Sequence, residues 1–378
     1  MGLLWREGVF ALVPTSFRYF MTLALPEIQP MRLSPSALRQ RLLSAAVARP
    51  DAVEIVPLAG DASARRYFRL LLSCETGAAA DPASLVAMEL EVPQPDAPME
   101  WLEIHRYLSG IDLPVPNVFD YLAGEGVLIL EDLGDATLEE RLKQAGADEA
   151  HAWYEKAVDL LAHLQARATA PEPTAFSRRF DVEKLMWEFD FMLEHYAAGL
   201  LGRSLSPSLA QTLREEMTAL CRELEALPAV LCHRDYHSRN LMVRGGDLVM
   251  IDFQDARLGP PQYDLVSLLR DAYNPLDEIF VQEMKARFLS ARQTMTGNVL
   301  SPMEFDRGFD RMTVQRCLKA VGTFAFQKTV KGNDRYLPGI APSLFNVSNA
   351  LKRHADLGPL RNALEEALPP LRQAGGAP

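Results

Sequence analysis

The sequence predicts an α+β fold in two lobes, a small β-rich N-lobe with an antiparallel sheet and a large, mainly helical C-lobe. A chain of 378 residues is long for one compact core, so two lobes are expected. Short strand-like apolar runs are concentrated before residue 132, whereas beyond Gly134 the apolar residues recur at helical spacing. We therefore assign residues 31–132 to the N-lobe and residues 133–378 to the C-lobe.

Residues 1–30 are predicted to be an extension outside both lobes. The apolar run at residues 9–13 is cut off by Pro14 and Arg18, and it is far shorter than the roughly 20 residues of a membrane span. It also lacks the features of a signal peptide. The extension is expected to be disordered, or to result from a start codon placed too early, with Met21 or Met31 as the true start. No membrane partner is expected.

The N-lobe begins with a helix that starts at Ser34-Pro35 and ends at Arg49-Pro50. The elements after it are short apolar runs and one amphipathic stretch: strands at 53–58, within 60–72, at 85–90 and at 127–134, and a helix around 100–108. The last strand is predicted to be an edge strand that leads into the C-lobe. The C-lobe then opens with helical patterns at 138–142, 154–166, 182–195 and 209–224.

The most specific pattern in the chain is the stretch 233–240, which reads His-Arg-Asp-Tyr-His-Ser-Arg-Asn. A hairpin is predicted directly after it, because the apolar runs 241–243 and 248–251 flank a turn that contains two glycines. Asp252 follows the second run. Folding the hairpin therefore brings Asp252 back beside Asn240.

Three side chains of this pattern suit phosphoryl transfer, which needs a carboxylate to orient the attacking hydroxyl and oxygen ligands to hold magnesium on the phosphates. Asp235 is predicted to face the acceptor, and Asn240 and Asp252 are predicted to bind Mg²⁺. His233 belongs to the same catalytic loop and is assigned a structural role in bracing its backbone. The pattern predicts an ATP-dependent kinase with a bilobal, protein-kinase-like fold.

The N-lobe is expected to bind ATP through a small-residue turn over the phosphates and through backbone groups at the end of the 127–134 strand. The lysine that kinases usually carry on the third strand, to contact the α- and β-phosphates, is absent, since no lysine precedes Lys143. Arginine can bind phosphate oxygens at two points, so we hypothesise that Arg66 or Arg69 supplies the missing cation. The predicted nucleotide-binding residues are Gly60, Ser63, Arg66, Arg69, Glu131 and Leu133.

The acceptor is expected to be a small molecule. His237 stands where protein kinases usually carry lysine, and the Ala-Pro-Glu tripeptide of a protein kinase activation segment is absent downstream. A net charge of −11 disfavours a nucleic-acid partner, because no basic excess can displace counterions. The four cysteines form no Cys-x-x-Cys pair, so a cytoplasmic location is expected, and the protein is predicted to be a monomer.

Several motifs in order resemble one family, over about residues 50 to 340. The family is that of the anomeric N-acetylmuramate/N-acetylglucosamine kinases of bacterial cell-wall recycling, a branch of the aminoglycoside phosphotransferase group. The motifs are Gly60-Asp61-Ala62-Ser63, Arg66-Tyr67-Phe68-Arg69, Glu131-Asp132-Leu133-Gly134-Asp135, residues 233–240, residues 251–257, Tyr263-Asp264-Leu265, residues 268–273, Gln315-Arg316, Leu318-Lys319 and Gly322-Thr323-Phe324.

The resemblance implies transfer of the ATP γ-phosphoryl group to the anomeric hydroxyl of an amino sugar, giving a sugar 1-phosphate in peptidoglycan recycling. It implies Asp235 as the base and Asn240 and Asp252 as magnesium ligands. An arginine, Arg239 or Arg257, would favour the lactyl carboxylate of N-acetylmuramate. Asp264 is expected to cap a helix or to bond the catalytic-loop backbone. The candidate sugar contacts are His237, Arg239, Gln254, Asp255, Arg257 and Asp271.

Two alternatives remain open at this point. A kinase for choline or an aminoglycoside would need aromatic and acidic walls, which Trp187, Glu188, Asp190 and Phe191 offer, although their spacing also fits a core stripe with a solvated edge. A pseudokinase without turnover is the other alternative, and the absent lysine motivates it.

Overall fold

The computed structural model describes residues 30–58, 65–73, 83–93, 99–169 and 174–374. The predicted extension up to residue 29, together with Gly60 and Ser63, lies outside these ranges. The strands within them are β1 (Ala52–Leu58), β2 (Arg66–Ser73), β3 (Ser84–Glu89), β4 (Val118–Leu122), β5 (Val127–Glu131), β6 (Val230–Cys232), β7 (Leu241–Arg244), β8 (Asp247–Met250) and β9 (Arg257–Gly259).

The helices confirm the predicted division into a β-rich and a helical lobe. Those of the N-lobe are α1 (Pro35–Ser44) and α2 (Glu100–Gly110). Those of the C-lobe are α3 (Leu138–Gln144), α4 (Ala147–Arg167), α5 (Val182–Met192), α6 (Pro207–Glu225), α7 (Gln262–Leu269), α8 (Glu278–Thr296), α9 (Pro302–Thr329), α10 (Ile340–Lys352), α11 (Gly358–Ala367) and α12 (Pro369–Gln373).

The N-lobe sheet is antiparallel, with strand order β1-β2-β3-β5-β4. β5 lies between β3 and β4, so the prediction that residues 127–134 form an edge strand was wrong. The edge strand on this side of the sheet is β4, a short strand whose register shifts between Val118 and Asp120. In β4 the charged residue Asp120 interrupts the apolar pattern, whereas the continuous apolar run of β5 is typical of an interior strand.

The two faces of this sheet have different partners, because successive side chains of a strand point to opposite faces. On the outer face, Leu38 and Leu42 of α1 pack with Phe68 and Leu85. On the inner face, side chains of β2 and β3 such as Tyr67, Arg69, Val86 and Met88 border the cleft between the lobes. The alternation therefore decides which N-lobe residues can meet a ligand.

The C-lobe is built around α9, a helix of 28 residues that packs against α5, α7 and α10. The predicted helix at 182–195 is α5 followed by a π-helix, Leu193–Leu200, which also packs on α9. Gly322 permits this close approach, since a Cβ atom there would lie 2.7 Å from Met192 Cα. None of the helices in the described part of the chain is long and apolar enough to cross a bilayer.

Candidate active site

The backbone of the 233–240 loop is fixed by a buried carboxylate. Asp264, near the start of α7, accepts hydrogen bonds from the backbone amides of His233 (2.6 Å) and Arg234 (2.9 Å). Arg234 has a φ of 81°, so this turn needs support that a free chain would not give. Tyr236 adds a buried anchor, because its hydroxyl donates to the Ala157 carbonyl oxygen at 2.7 Å. The predicted loop-bracing role of Asp264 is confirmed.

A second buried carboxylate, Asp271, supports the far half of the loop. Its Oδ2 accepts from the Ser238 hydroxyl (2.6 Å) and amide (3.3 Å), and its Oδ1 accepts from the Tyr273 amide (3.0 Å). Asn274 Nδ2 donates to the same serine hydroxyl at 2.8 Å. Asp271 borders the cavity as predicted for a sugar contact, but both of its oxygens are engaged in holding the loop.

The β7–β8 hairpin forms at the predicted residues and brings Asp252 back beside Asn240. Asn240 Nδ2 lies 3.4 Å from Asp252 Oδ2 and donates to the Asp235 carbonyl oxygen at 3.0 Å. The Ile251 amide donates to the Asn240 carbonyl oxygen at 3.1 Å, which closes the hairpin against the loop. Gln254 Nε2 donates to Asp252 Oδ1 at 2.8 Å and so orients that carboxylate.

The residues at this point fit magnesium. The Asn240 amide nitrogen is used by the Asp235 carbonyl, so the amide oxygen remains for a cation. Asp252, which follows β8, contributes a carboxylate, and both residues border the cavity. An amide oxygen and a carboxylate are hard oxygen ligands of the kind that Mg²⁺ shares with substrate phosphates.

Two cations that sequence reasoning did not assign to the site contact Asp235. Lys319 Nζ lies 3.2 Å from Asp235 Oδ1, and Arg316 Nη2 lies 3.7 Å from the same oxygen. Arg316 is held by its Nε, which donates to the Ser267 hydroxyl at 3.0 Å. Burial alone would raise the pKa of Asp235, but Lys319, Arg316 and Arg234 hold that pKa well below its usual range.

The two loop histidines are neutral supports of the site. Burial lowers the pKa of both His233 and His237, despite nearby carboxylates that act in the opposite direction. The His233 ring is buried edge-on against Tyr236, at 5.7 Å between centroids, which fits its predicted structural role. His237 borders the cavity and lies edge-on to Tyr273 at 6.4 Å.

A cavity of about 950 Å³ separates the lobes. Its N-lobe end is apolar and includes Leu58, Val86, Met88 and Leu130, together with the predicted contacts Glu131 and Leu133. The Glu131 amide donates to the Asn117 carbonyl oxygen at 2.9 Å, and its carboxylate accepts from Asn117 Nδ2 at 2.9 Å. The Glu131 amide is therefore already engaged within the N-lobe.

The two arginines proposed to replace the N-lobe lysine lie on opposite faces of β2. Arg66 pairs with Glu89 on the outer side of the sheet and lies over the Phe68 ring, so its prediction as a nucleotide-binding residue was wrong. Arg69 faces the cavity. Its guanidinium makes a two-point contact with Asp132, at 2.7 and 3.0 Å, and reaches Asp135 at 2.9 Å.

The predicted sugar contacts are only partly gathered in the cavity, whose lining includes Gln254, Asp255 and Arg239. Arg239 is bound to Glu139, at 2.6 and 3.3 Å, and lies over the Tyr273 ring. Arg257 does not border the cavity, because strand pairing turns it toward Phe180 and Asp255. Its prediction as a sugar contact was therefore wrong.

The aromatic and acidic residues considered for a cationic acceptor lie elsewhere. Trp187, Glu188, Asp190 and Phe191 do not border the cavity. Trp187 is 53% exposed, and Glu188 is buried under Gln315. These four residues therefore form a helix face that is packed on one side and solvated along its edge.

The C-lobe end of the cavity has an aromatic and polar lining that the sequence did not reveal. Phe324 and Tyr336 stack at 6.2 Å with an angle of 6° between their rings, and Tyr273 lies 6.0 Å from Phe324. Thr323 and Gln327, on α9, provide polar groups beside them. An apolar platform with polar edges matches the two-sided character of a pyranose ring.

Comparison with known proteins relates the chain to phosphotransferases. The model of the phosphotransferase enzyme family matches residues 54–297. The N-acetylmuramate/N-acetylglucosamine kinase of Neisseria meningitidis serogroup B is 34% identical over 317 residues, which cover 82% of this chain and 89% of the relative. The kinase of that name from Pseudomonas aeruginosa is 32% identical over 314 residues, with 82% and 88% coverage.

Solved structures share the fold at low identity. A choline kinase of Cryptosporidium parvum matches with a TM-score of 0.54 and 14% identity, covering 82% of this chain and 91% of its own. An ADP-bound aminoglycoside phosphotransferase matches with a TM-score of 0.53 and 15% identity, covering 86% and 99%. These likenesses confirm the predicted bilobal, protein-kinase-like architecture.

Proposed function

Because the chain belongs to the phosphotransferase enzyme family, and within it to the N-acetylmuramate/N-acetylglucosamine kinases, we propose that it phosphorylates an amino sugar. The γ-phosphoryl group of ATP is transferred to the anomeric hydroxyl of N-acetylmuramate or N-acetylglucosamine, giving the sugar 1-phosphate for peptidoglycan recycling. The observation that carries the proposal is that Asn240 lies beside Asp252 and that both border the interlobe cavity together with Asp235.

Asp235 orients the acceptor hydroxyl and takes its proton late in the transfer. A carboxylate with a lowered pKa is a weak base, and this suits an anomeric hydroxyl, which is more acidic than an ordinary alcohol. When bound at Asn240 and Asp252, Mg²⁺ neutralises charge on the β- and γ-phosphates. Alignment and charge neutralisation, rather than covalent chemistry, supply most of the rate gain.

ATP is proposed to lie with adenine between the apolar walls of the N-lobe end, at the Leu133 backbone, and with its phosphates toward Asp252. The sugar lies at the C-lobe end against the Phe324 and Tyr336 platform. Both ends of the cavity are formed by one chain. We therefore propose a monomeric enzyme, and we place it in the cytoplasm, where ATP is available.

An acceptor panel tests the proposal. The protein with ATP and magnesium is given N-acetylmuramate, N-acetylglucosamine, choline and kanamycin, and ADP release is measured. Phosphorus NMR of the product is expected to reveal coupling to the anomeric proton and loss of the reducing end. Turnover with choline or kanamycin alone would overturn the sugar assignment, and a product that still reduces would overturn the anomeric position.

Asp235→Asn is the matched variant for the catalytic carboxylate. The change keeps the size of the side chain but removes its charge and basicity, so turnover should fall by about 10²- to 10⁴-fold. Nucleotide binding, followed by fluorescence of a labelled ADP, should change little. Equal background turnover in the wild type and the variant, with nucleotide still bound, would instead identify a pseudokinase.

A further inference from the structure

Two basic side chains, Arg316 and Lys319, pair with the proposed catalytic carboxylate of Asp235. Arg316 and Lys319 lie one turn apart on α9, and both reach Oδ1 of Asp235. Their side chains are only 11% and 16% exposed. Two largely buried cations therefore face one carboxylate oxygen.

The other basic residues of the cavity are committed to other carboxylates. Within the described residues, the lysines and arginines that border the cavity are Arg69, Arg239, Arg270, Arg316 and Lys319. The first three are paired as follows: Arg69 with Asp132, Arg239 with Glu139 and Arg270 with Glu278. Arg316 and Lys319 differ because their carboxylate partner is the proposed catalytic group itself.

We propose that Lys319 is a catalytic residue that contacts the transferring phosphoryl group from the C-lobe side, while Arg316 helps to position Asp235. This inference rests on the proposed function. It assigns to α9 part of the charge neutralisation that kinases with a lysine on the third strand obtain from the N-lobe. Lys319 cannot copy that lysine, because it lies beside the acceptor rather than beside the α- and β-phosphates.

The geometry suits a role during transfer. Within the described part of the chain, both ion pairs of Asp235 use Oδ1, which leaves Oδ2 for the acceptor hydroxyl. The bond between the acceptor oxygen and the γ-phosphorus forms as the bond from that phosphorus to the β–γ bridging oxygen breaks. The electron pair of the broken bond leaves with ADP, and the hydroxyl proton passes to Oδ2. Lys319 takes no part in this proton transfer and faces the equatorial phosphoryl oxygens.

The test compares Lys319→Met with Lys319→Arg. Removing one pre-oriented donor to a developing negative charge typically lowers turnover by about 10²- to 10³-fold, so Lys319→Met should lose kcat to that extent, while the KM for ATP changes by less than about 3-fold. Lys319→Arg keeps the charge and should recover part of the lost kcat. Both variants are first checked for an unchanged unfolding midpoint.

Lys328→Met is the matched control. Lys328 lies on the same helix, is 40% exposed and pairs with Asp334 away from the cavity, so its loss should leave kcat and KM unchanged. A folded Lys319→Met protein with wild-type kcat would overturn the proposal, as would a loss confined to the KM for ATP.

The acceptor panel keeps the two hypotheses separate. The proposed function fails if the wild type phosphorylates neither amino sugar, whatever the Lys319 variants do. The role of Lys319 is then still measurable with the acceptor that is used, or from ATP hydrolysis with water as the acceptor. A ratio of wild-type to Lys319→Met turnover near one in that assay would overturn the role of Lys319 alone.

Discussion

Asp235 is a carboxylate whose ionisation is set by its neighbours. Burial would favour the protonated form, but Lys319 and Arg316 from α9 and Arg234 from its own loop outweigh burial and lower its pKa. Because its pKa is lower in the folded protein, Asp235 stabilises the folded state at pH values above its unfolded pKa of about 4. This contribution is lost as the pH falls through the folded pKa. The site is therefore charged throughout the physiological range.

The pH dependence of turnover should report this electrostatic coupling. In the wild type, protonation of Asp235 should not reduce kcat above about pH 4. In Lys319→Met one cation is lost, so the pKa of Asp235 rises and the acid limb of the kcat profile moves to higher pH. Initial rates are measured only where the circular dichroism spectrum stays native. An acid limb at the same pH in both proteins would show that Lys319 does not control Asp235.

The proposed phosphoryl-transfer residues that border the cavity together are close along the chain. Asp235 and Asn240 share one loop, and a two-stranded hairpin returns Asp252, so local turn chemistry fixes their meeting. Lys319 reaches Asp235 from 84 positions away, and only the packing of α9 decides that contact. The Leu318-Lys319 motif is visible in the sequence, but the residues around it do not indicate which way the Lys319 side chain faces.

Strand parity could have separated Arg66 from Arg69 without coordinates. The two differ by an odd number of positions, so in one regular strand they face opposite sides of the sheet. Strand parity does not indicate which of the two sides faces the cleft. The cover given by α1 to Phe68 and Leu70 settles it, because this packing places Arg66 on the outer side.

At the scale of elements, the packing of α9 in the C-lobe determines where its basic side chains meet the site. It carries Arg316 and Lys319 toward the cavity, and Gly322 brings it against Met192 where α5 joins the π-helix. The sequence predicted a helix at 182–195, but the change from α to π geometry depends on how this segment fits α9. Helical periodicity alone does not distinguish the two.

Gly322→Ala should destabilise the protein although alanine favours helices. The added methyl would lie 2.7 Å from Met192 Cα, and overpacking of this kind costs about 1–3 kcal/mol, against a helix gain of about 1 kcal/mol. Urea unfolding measures the difference. The control is Gly110→Ala at the end of α2, where no atom lies within 4 Å of the new Cβ and stability should stay the same or rise. Equal stability of both variants would contradict the packing role.

At the scale of the whole molecule, Arg69 links the N-lobe sheet to the connection between the lobes. Its strand belongs to the sheet, and its partners Asp132 and Asp135 belong to the segment that enters the C-lobe. In the hypothesis that Arg69 supplies the missing cation, this guanidinium would leave Asp132 and turn to the ATP phosphates. Nucleotide binding would then compete with an internal ion pair.

Opposite effects on ATP binding are expected from the two partners of this ion pair. Arg69→Ala should raise the KM for ATP by about 10-fold or more, the range expected when a charged hydrogen bond is lost. Asp132→Asn should lower that KM, because the arginine is released toward the phosphates. Arg66→Ala, on the same strand but the outer face, is the control and should leave the KM unchanged. A rise in KM for both Arg69→Ala and Asp132→Asn would identify a purely structural ion pair.

The two-point contact of Arg69 with Asp132 has the same form as an arginine contact with phosphate. If Arg69 supplies the missing cation, Asp132 occupies the place of a phosphate until ATP arrives and pairs with Arg69 again as ADP departs. Such internal competition would weaken retention of the spent nucleotide, which would favour rapid product release over tight product binding.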